Sequence, residues 1–438
     1  MLTESGVVWL VAAVAVVAIV LPYVLRFRQR VRHDRERKAE AGRLGIDRPV
    51  AQFPFVDDQL CIGCGACAAA CPEGDVLGIV GGTAVVVNAL RCVGHGRCEV
   101  ACPVEALEVG LGDLKSRDDV PLLDDELQAT VPGIYIAGEL GGLALVRNAT
   151  LQGRLAIEAI AASTTGRNGG DGSVVDVAIV GAGPAGLSAA LTAKDRNLSY
   201  AVFEKESDLG GSVLHYPRRK MVLTQPVELP PWGRLEREEY QKEELLEIFK
   251  RMVSQTELDL RFGEAVEAVR HEEGLFRLRS SAGSELRARR VLLALGRRGS
   301  PRKLGVPGEE LPKVMYRLID AQSYRGERIL VVGGGDSAAE AAIGLARQSG
   351  NQITLSYRKE KLVRLKSKNL LALEQLVDRG RVELLLSSRV DRIGSSYVEL
   401  ESGQGETLEI ENDYVFVFAG GVPPFGFLQQ IGIGFGGK

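Results

Sequence analysis

The stretch "SVVDVAIVGAGPAGLSAALTAKDRNLSYAVFEKE", from Ser173 to Glu206, decides the fold of this 438-residue chain. An apolar strand leads into a loop that carries Gly181, Gly183 and Gly186, and a helix and a second strand follow. Glycines with this spacing permit a tight turn and bring the backbone close to a pyrophosphate at the helix N-terminus. Glu204 ends the second strand, where a carboxylate can accept a hydrogen bond from a ribose hydroxyl. The stretch therefore predicts a Rossmann-like dinucleotide-binding domain.

A second unit of the same kind lies at "RILVVGGGDSAAEAAIGLARQSGNQITLSYRKEKLVR", from Arg328 to Arg364. The loop positions are occupied by Gly333, Gly335 and Ala338. Its second strand ends in polar and basic residues instead of an acid: Ser356, Arg358, Lys359 and, further on, Arg364. Because arginine accommodates a ribose 2′-phosphate that an acid repels, we expect NADPH rather than NADH here. The alternative is a solvated basic turn without a ligand.

All seven cysteines lie between positions 61 and 102. The run "CIGCGACAAACP" has the C-x2-C-x2-C-x3-C-P spacing of bacterial iron–sulfur proteins, and "CVGHGRCEVACP" repeats it with His95 in place of the second cysteine. Residues 53–112 thus resemble a two-cluster ferredoxin. The resemblance implies crossed ligation. The first cysteine set would hold one 4Fe-4S cluster and consists of Cys61, Cys64, Cys67 and Cys102. The second set would hold the other cluster and consists of Cys71, Cys92, Cys98 and His95. If His95 is not a ligand, the second site would hold a 3Fe-4S cluster.

The N-terminus carries a long apolar run, "GVVWLVAAVAVVAIVLPYVL", from Gly6 to Leu25. A helix of this length can span a bilayer. Six arginines and a lysine follow between Arg26 and Lys38, which by the positive-inside rule places the later domains in the cytoplasm. A cleaved signal peptide would need a basic start and a small-residue cleavage site, and this N-terminus has neither. We therefore expect a single-pass transmembrane helix in the cytoplasmic membrane. A net charge of −3 gives no reason to expect nucleic acid as a partner.

Several segments between residues 174 and 438 carry a family resemblance. They are "GAGPAGLSAAL", "LGGSVLHYP" with Gly210 and Gly211, "GGGDSAAEAA" and "LSYRK". With them the chain resembles the thioredoxin reductase-like flavoproteins, and within these the bacillithiol-disulfide reductase-like proteins. The resemblance implies FAD on the first glycine-rich loop and NADPH on the second. The expected fold class is α/β, with two Rossmann-like domains, a small α+β ferredoxin domain and the N-terminal transmembrane helix.

One family segment is missing from its usual place at the C-terminus. That family ends in a strand followed by Gly-Asp, whose carboxylate contacts the flavin chain, whereas this chain carries the similar "GIYIAGE" much earlier, with Gly138 and Glu139. We interpret residues 113–162 as this element, moved ahead of the first loop by circular permutation. An independent βα connector is the alternative.

The motifs predict eight segments along the chain. They are a membrane anchor (1–25), a basic linker (26–52), the ferredoxin domain (53–112), the permuted FAD element (113–162), a linker (163–172), the FAD domain (173–297), the NADPH domain (298–412) and a return to the FAD domain (413–438).

The absence of cysteine from the nucleotide-binding segments shapes the functional hypothesis. Thiol–disulfide exchange needs a thiolate, so these segments cannot relay electrons through a cysteine pair. We expect a membrane-anchored oxidoreductase that passes electrons between NADPH, FAD and two clusters, to or from an electron-carrier protein or membrane redox partner. The alternatives are a flavin-dependent reductase of a small disulfide and a non-catalytic redox sensor or electron-transfer subunit. No catalytic residue can be assigned, and a homodimer is compatible with the family.

Overall fold

The computed structural model describes residues 4–46, 52–111, 118–142, 145–163, 173–297 and 299–437. The chain divides into two compact units. The first comprises Met1–Gly112 together with Val363–Leu371, and the second comprises Asp113–Leu362 and Ala372–Lys438. Apart from Ser163, the predicted linker at 163–172 lies outside the described residues.

The first helix, α1 (Glu4–Leu44), contains both the apolar run and the basic run that follows it. Of the helices in the described part of the chain, none is both long enough and apolar enough to cross a membrane. The predicted transmembrane helix and membrane anchor are therefore not supported.

The C-terminal part of α1 is an element of the first unit and not the predicted linker. Asp34 is buried, and its Oδ2 accepts a hydrogen bond from Ile79 N at 2.8 Å. Arg37 pairs with Asp34 at 3.1 Å and with Asp75 at 3.0 Å. A buried carboxylate requires such partners, so these contacts fix the register of the helix against the rest of the unit.

The rest of the first unit consists of two antiparallel strand pairs and two short helices. Its elements are β1 (Gln52–Val56), α2 (Ala66–Ala70), β2 (Leu77–Val80), β3 (Thr83–Val86), α3 (Arg97–Val100) and β4 (Leu107–Leu111). Strand β1 pairs with β4, and β2 pairs with β3. Each helix follows a left-handed glycine, Gly65 at φ 78° and Gly96 at φ 73°, which lets the chain turn sharply between cysteines. This is the predicted ferredoxin-like domain.

The first sheet of the second unit has the parallel strands expected of the predicted Rossmann-like domain. Its strands are β5 (Ile134–Ile136), β6 (Val174–Val180), β7 (Tyr200–Glu204), β12 (Leu260–Phe262), β13 (Val266–Glu272), β14 (Leu275–Ser280) and β15 (Glu285–Leu293). Strands β12, β7, β6 and β15 are parallel neighbours, while β14 and β13 extend the sheet in antiparallel fashion. Strand β5 lies parallel to the C-terminal half of β15. The accompanying helices are α4 (Val146–Ser163), α5 (Pro184–Asp195) and α6 (Lys242–Thr256).

A second parallel sheet has the order β17-β24-β18-β19-β20. These strands are β17 (Val314–Met315), β18 (Arg328–Val332), β19 (Gln352–Tyr357), β20 (Val382–Leu386) and β24 (Tyr414–Val417), with helices α7 (Asp336–Ala346) and α8 (Ser367–Asp378). Because β24 pairs with β18, the return to the first sheet begins after Val417 and not at Asp413. Beyond it, Leu428 and Ile433 are buried in the core under the first sheet.

The remaining elements are short pairs and one small sheet. They are β8 (Met221–Leu223), β9 (Val227–Leu229), β10 (Gly233–Leu235), β11 (Glu239–Gln241), β16 (Ser300–Pro301), β21 (Ser388–Ile393), β22 (Tyr397–Ser402), β23 (Thr407–Glu411), β25 (Gly421–Val422) and α9 (Phe425–Gln430). Strands β21, β22 and β23 form a three-stranded antiparallel sheet.

Candidate functional site

The first glycine-rich loop joins β6 to α5 and leaves no room for a Cβ at Gly181 or Gly186. Gly181 has φ +111°, and a Cβ there would lie 2.4 Å from Ala294 O. A Cβ on Gly186 would lie 1.8 Å from Gly181 O, so the loop and the first turn of α5 are in direct backbone contact. Gly183 is the N-cap of α5 and provides no capping side chain. The free N–H groups of this helix end can therefore bind an anion such as a pyrophosphate.

Glu204 is buried at the end of β7 and holds this loop. Its Oε2 accepts a hydrogen bond from Ala182 N at 2.7 Å, and its Oε1 accepts one from Glu206 N at 2.9 Å. Each carboxylate oxygen has a second acceptor site, so these bonds leave capacity for a ribose hydroxyl. The ribose contact stays a prediction, whereas the bond to the loop is an additional role that the sequence did not indicate.

Gly210 and Gly211 lie against the same loop. Gly210 N donates to Ala182 O at 2.9 Å, and a Cβ on Gly211 would lie 3.0 Å from the Cα of Gly183. The structure thus brings this predicted pair together with the first loop.

The Gly138–Glu139 pair follows β5 and reaches the start of α5. A Cβ on Gly138 would lie 3.2 Å from the Cβ of Ala185, and Gly138 N donates to Gln152 Oε1 at 2.8 Å. Although Glu139 keeps surface open to solvent, burial under neighbouring atoms raises the pKa of its carboxyl, and Arg297 opposes this shift. A carboxylate and an arginine therefore lie beside the anion-binding helix end.

Helices α4 and α5 approach each other at one small residue. A Cβ on Gly153 would lie 2.1 Å from Ala185 O, and Ser188 Oγ donates to Thr150 O at 2.8 Å. Gly153, Gln152 and Arg297 were not among the residues predicted for this site. The small residue in "LQGRLAIEAI" was a signal for close helix packing.

The second glycine-rich loop joins β18 to α7 in the same way. Gly333 has φ +145°, and a Cβ there would lie 2.6 Å from Phe418 O and 3.1 Å from the Cβ of Ala338. Ala338 is buried, and Gly335 is the N-cap of α7. The geometry agrees with a second anion-binding helix end.

The polar residues after this unit's second strand differ in orientation. Ser356 is fully buried, and its Oγ hydrogen-bonds the Oγ of Ser388 at 2.8 Å, so its predicted contact with the nucleotide is wrong for the side chain. It lies within β19, where the adjacent Leu355 is buried as well, so both faces of the strand are covered. Arg358, Lys359 and Arg364 are exposed. Their side chains are accessible to a phosphate in solution.

The first predicted cysteine set converges on one apolar pocket. The pocket is lined by all four cysteines of the set, Cys61, Cys64, Cys67 and Cys102. Ile62, Ile79 and Val104 are among its apolar lining residues. Ala84 N donates to Cys61 Sγ at 3.3 Å, and Ala106 N donates to Cys102 Sγ at 3.3 Å. Hydrogen bonds to sulfur and an apolar environment are features that tune iron–sulfur clusters, so these residues fit one.

The second set also comes together. Burial, followed by the nearby Cys71 and Cys92, raises the pKa of the Cys98 thiol to about 11. His95 lies in the loop between Cys92 and Cys98, and its Nε2 is buried; whether it is a ligand stays a prediction. In the described ranges, no group of three or more His, Cys, Asp or Glu is arranged to hold a single metal ion. Thiolates are the donors that iron–sulfur clusters use, and the number and type of the clusters stay a prediction.

Two family models match the chain. Residues 178–436 match a model described as pyridine nucleotide-disulphide oxidoreductase, and residues 53–103 match one described as a 4Fe-4S dicluster domain. Neither match includes residues 113–162, so the predicted permutation has no support from these comparisons.

Curated relatives and a solved structure resemble the nucleotide-binding part. Bacilliredoxin reductase Bdr of Bacillus subtilis is 28% identical over 259 residues, which cover 58% of this chain and 79% of the relative. A ferredoxin–NADP reductase of Ignicoccus hospitalis is 29% identical over 270 residues, 60% of this chain and 83% of the relative. The bacillithiol disulfide reductase Bdr from Staphylococcus aureus superposes with a TM-score of 0.55 at 26% identity and covers 59% of this chain and 80% of its own.

These relatives are FAD-dependent oxidoreductases, and the first family match spans more than half of the chain. The two glycine-rich loops at parallel strand ends, with acid at one and basic residues at the other, agree with that match. The chain belongs to the pyridine nucleotide-disulphide oxidoreductase family and is an FAD-dependent NAD(P)H oxidoreductase that also carries a 4Fe-4S dicluster domain.

Proposed function

We propose that this chain passes electrons between NADPH, FAD and two iron–sulfur clusters and exchanges them with a protein electron carrier. The observation that carries the proposal is the presence of two converging cysteine sets in a chain whose nucleotide-binding parts contain no cysteine. FAD, when bound, takes two electrons from NADPH and can release them singly, which matches the one-electron capacity of each cluster.

The side chains of the second unit would bind and orient the nucleotides. The α5 N-terminus and the loop held by Glu204 support a pyrophosphate of FAD. The exposed Arg358 and Lys359 support a 2′-phosphate, because guanidinium and ammonium groups bind that dianion. The coenzyme would accordingly be NADPH.

We also propose that residues 113–162 are the family's C-terminal FAD element in a permuted position. The parallel pairing of β5 with β15 and the contact of Gly138 with the first turn of α5 support this. Strand β5 ends beside the anion-binding N-terminus of α5, where a carboxylate could contact the flavin nucleotide. Glu139 is the carboxylate at that position.

The carrier is proposed to be a ferredoxin-type protein. The support is that several relatives are ferredoxin–NADP reductases and that this chain holds its own dicluster domain. A cytoplasmic location and a homodimer stay predictions from the sequence.

Anaerobic titration with NADPH tests the function. The protein is reconstituted with FAD, iron and sulfide, and the flavin absorbance and the electron paramagnetic resonance of reduced clusters are recorded together. We expect the flavin to bleach and the cluster signal to grow with added NADPH. The matched variants Cys67→Ser and Cys98→Ser should each remove one cluster signal and leave flavin bleaching intact.

A second candidate function is the reduction of a small disulfide by the flavin, favoured by the similarity to bacilliredoxin reductase. It predicts NADPH-dependent disulfide turnover in a Cys67→Ser/Cys98→Ser double variant. If that turnover matches the unsubstituted protein, and NADPH leaves clusters oxidised that dithionite can reduce, the electron-transfer function is refuted.

A further inference from the structure

The first unit includes a segment that comes from far along the chain, Val363–Leu371. Lys366 Nζ lies 3.0 Å from Glu73 Oε1, and Ser367 Oγ donates to Glu73 O at 2.9 Å. Asn88 Nδ2 donates to Val363 O at 3.1 Å. The segment is thus held at several points beside the second cysteine set.

Arg91, directly before Cys92, adds a buried cation at the same place. Its NH1 lies 2.9 Å from Asp75 Oδ2 and 3.1 Å from Ser367 Oγ. Within the described part of the chain, its buried Nε–H has no hydrogen-bond acceptor. A cluster on the neighbouring thiolates, with sulfur acceptors, would fit such a donor.

Glu73 is a nearly buried charge, with 10% of its side chain exposed. It lies two residues after Cys71. This places its carboxylate beside the second cysteine set, and Lys366 is the cation bonded to it.

We propose that the Glu73–Lys366 pair sets the reduction potential of the cluster held by Cys71, Cys92 and Cys98. Reduction adds one negative charge to the cluster. The negative charge of Glu73 disfavours the reduced cluster. The positive charge of Lys366 compensates that carboxylate and so stabilises the reduced cluster. Glu73 is largely shielded from water, whereas 41% of the Lys366 side chain is exposed, so salt screens the pair in part. Glu73 and Lys366 act on the cluster through their charges. Neither residue is a cluster ligand.

The test is a redox titration of the reconstituted protein with dithionite and mediators, followed by electron paramagnetic resonance. A chemical reductant replaces NADPH, so the result does not depend on the proposed electron path and requires only that the second cluster is loaded. We expect Lys366→Gln to lower the second cluster's midpoint potential by at least a tenfold change in the reduction equilibrium, about 59 mV for one electron. Glu73→Gln should raise it.

Two controls isolate the charge. Lys366→Arg keeps the cation, and Lys368→Gln removes an exposed cation from the first turn of α8, which begins directly after Lys366. Both variants should leave the midpoint potential within a twofold change of the reduction equilibrium.

The proposal is overturned if the midpoint potential of Lys366→Gln matches that of Lys368→Gln, or if Lys366→Gln and Glu73→Gln shift the potential in the same direction. It is also overturned if the midpoint potential of the first cluster shifts by the same amount, because the effect would then not be local. Should Lys366→Gln fail to load its cluster, the direction of the Glu73→Gln shift decides alone.

Discussion

Glu204→Gln is the substitution that tests how the first loop is held. In the structure one carboxylate oxygen accepts from Ala182 N at 2.7 Å and the other from Glu206 N at 2.9 Å. Glutamine keeps only one of these acceptors and turns an NH2 group toward the other N–H. Ala182 is fully buried, so water cannot replace a lost acceptor there, whereas Glu206 is only partly buried.

The magnitude follows from that difference in burial. Leaving a buried donor without an acceptor costs about 1–3 kcal/mol. Because about 1.4 kcal/mol corresponds to a tenfold change in an equilibrium constant, we expect the Kd for FAD to rise roughly 5- to 150-fold if the loop must be ordered to bind. If the glutamine oxygen accepts the hydrogen bond from Ala182 N, the rise in the Kd for FAD should lie at the lower end of this range.

The assay is titration of the flavin-free protein with FAD, followed by quenching of flavin fluorescence. Glu267→Gln, on the exposed side of β13, is the control and should leave the Kd unchanged. A lower unfolding midpoint of the flavin-free variant should accompany the loss of affinity. An FAD Kd within twofold of the unsubstituted protein would refute the role assigned to Glu204, and a weaker Kd with an unchanged midpoint would indicate a ribose contact alone.

Three further outcomes are expected. Arg358→Ala should raise the KM for NADPH about tenfold and leave the KM for NADH unchanged, as one charge-assisted bond to the 2′-phosphate is lost. Gly153→Ala places a Cβ 2.1 Å from a carbonyl of α5 and should lower the free energy of unfolding by about 1–3 kcal/mol in urea, whereas Gly426→Ala, with open space around it, should not. Hydrogen bonds from Arg328 lower the pKa of Asp413 to about 2, so this carboxylate stabilises the fold above its unfolded pKa near 3.8 and loses that effect toward pH 2. The stability difference between Asp413→Asn and the unsubstituted protein should therefore be largest at pH 7 and vanish toward pH 2.

The sequence alone was sufficient for the parts that depend on contiguous residues. The two glycine-rich loops follow apolar strands and precede helices, and turn geometry within a few residues requires glycine there. The cysteine spacing was equally informative, because a short loop can reach a cluster in few ways. The two nucleotide-binding units and the iron–sulfur domain therefore follow from the sequence. The crossed assignment of the cysteines comes from the resemblance to two-cluster ferredoxins and stays a prediction.

Predictions from composition or from a residue's place in a strand were less reliable. The apolar run at Gly6–Leu25 suggested a membrane helix, but within the described residues no helix meets that requirement. The polar Ser356 was assigned to a ligand, although both faces of β19 are covered there and its hydroxyl pairs with that of Ser388. The basic run beyond Arg26 concealed Asp34, which is buried against the ferredoxin-like domain.

Only the tertiary structure showed which distant residues act together. Glu73 and Lys366 are bonded across 293 positions of the chain, and Gly138 reaches Ala185 through the pairing of β5 with β15. No local pattern encodes such pairs, because the distance between them is set by the packing of whole elements. The sequence determined which groups the protein could bind, and packing decided which charges surround them.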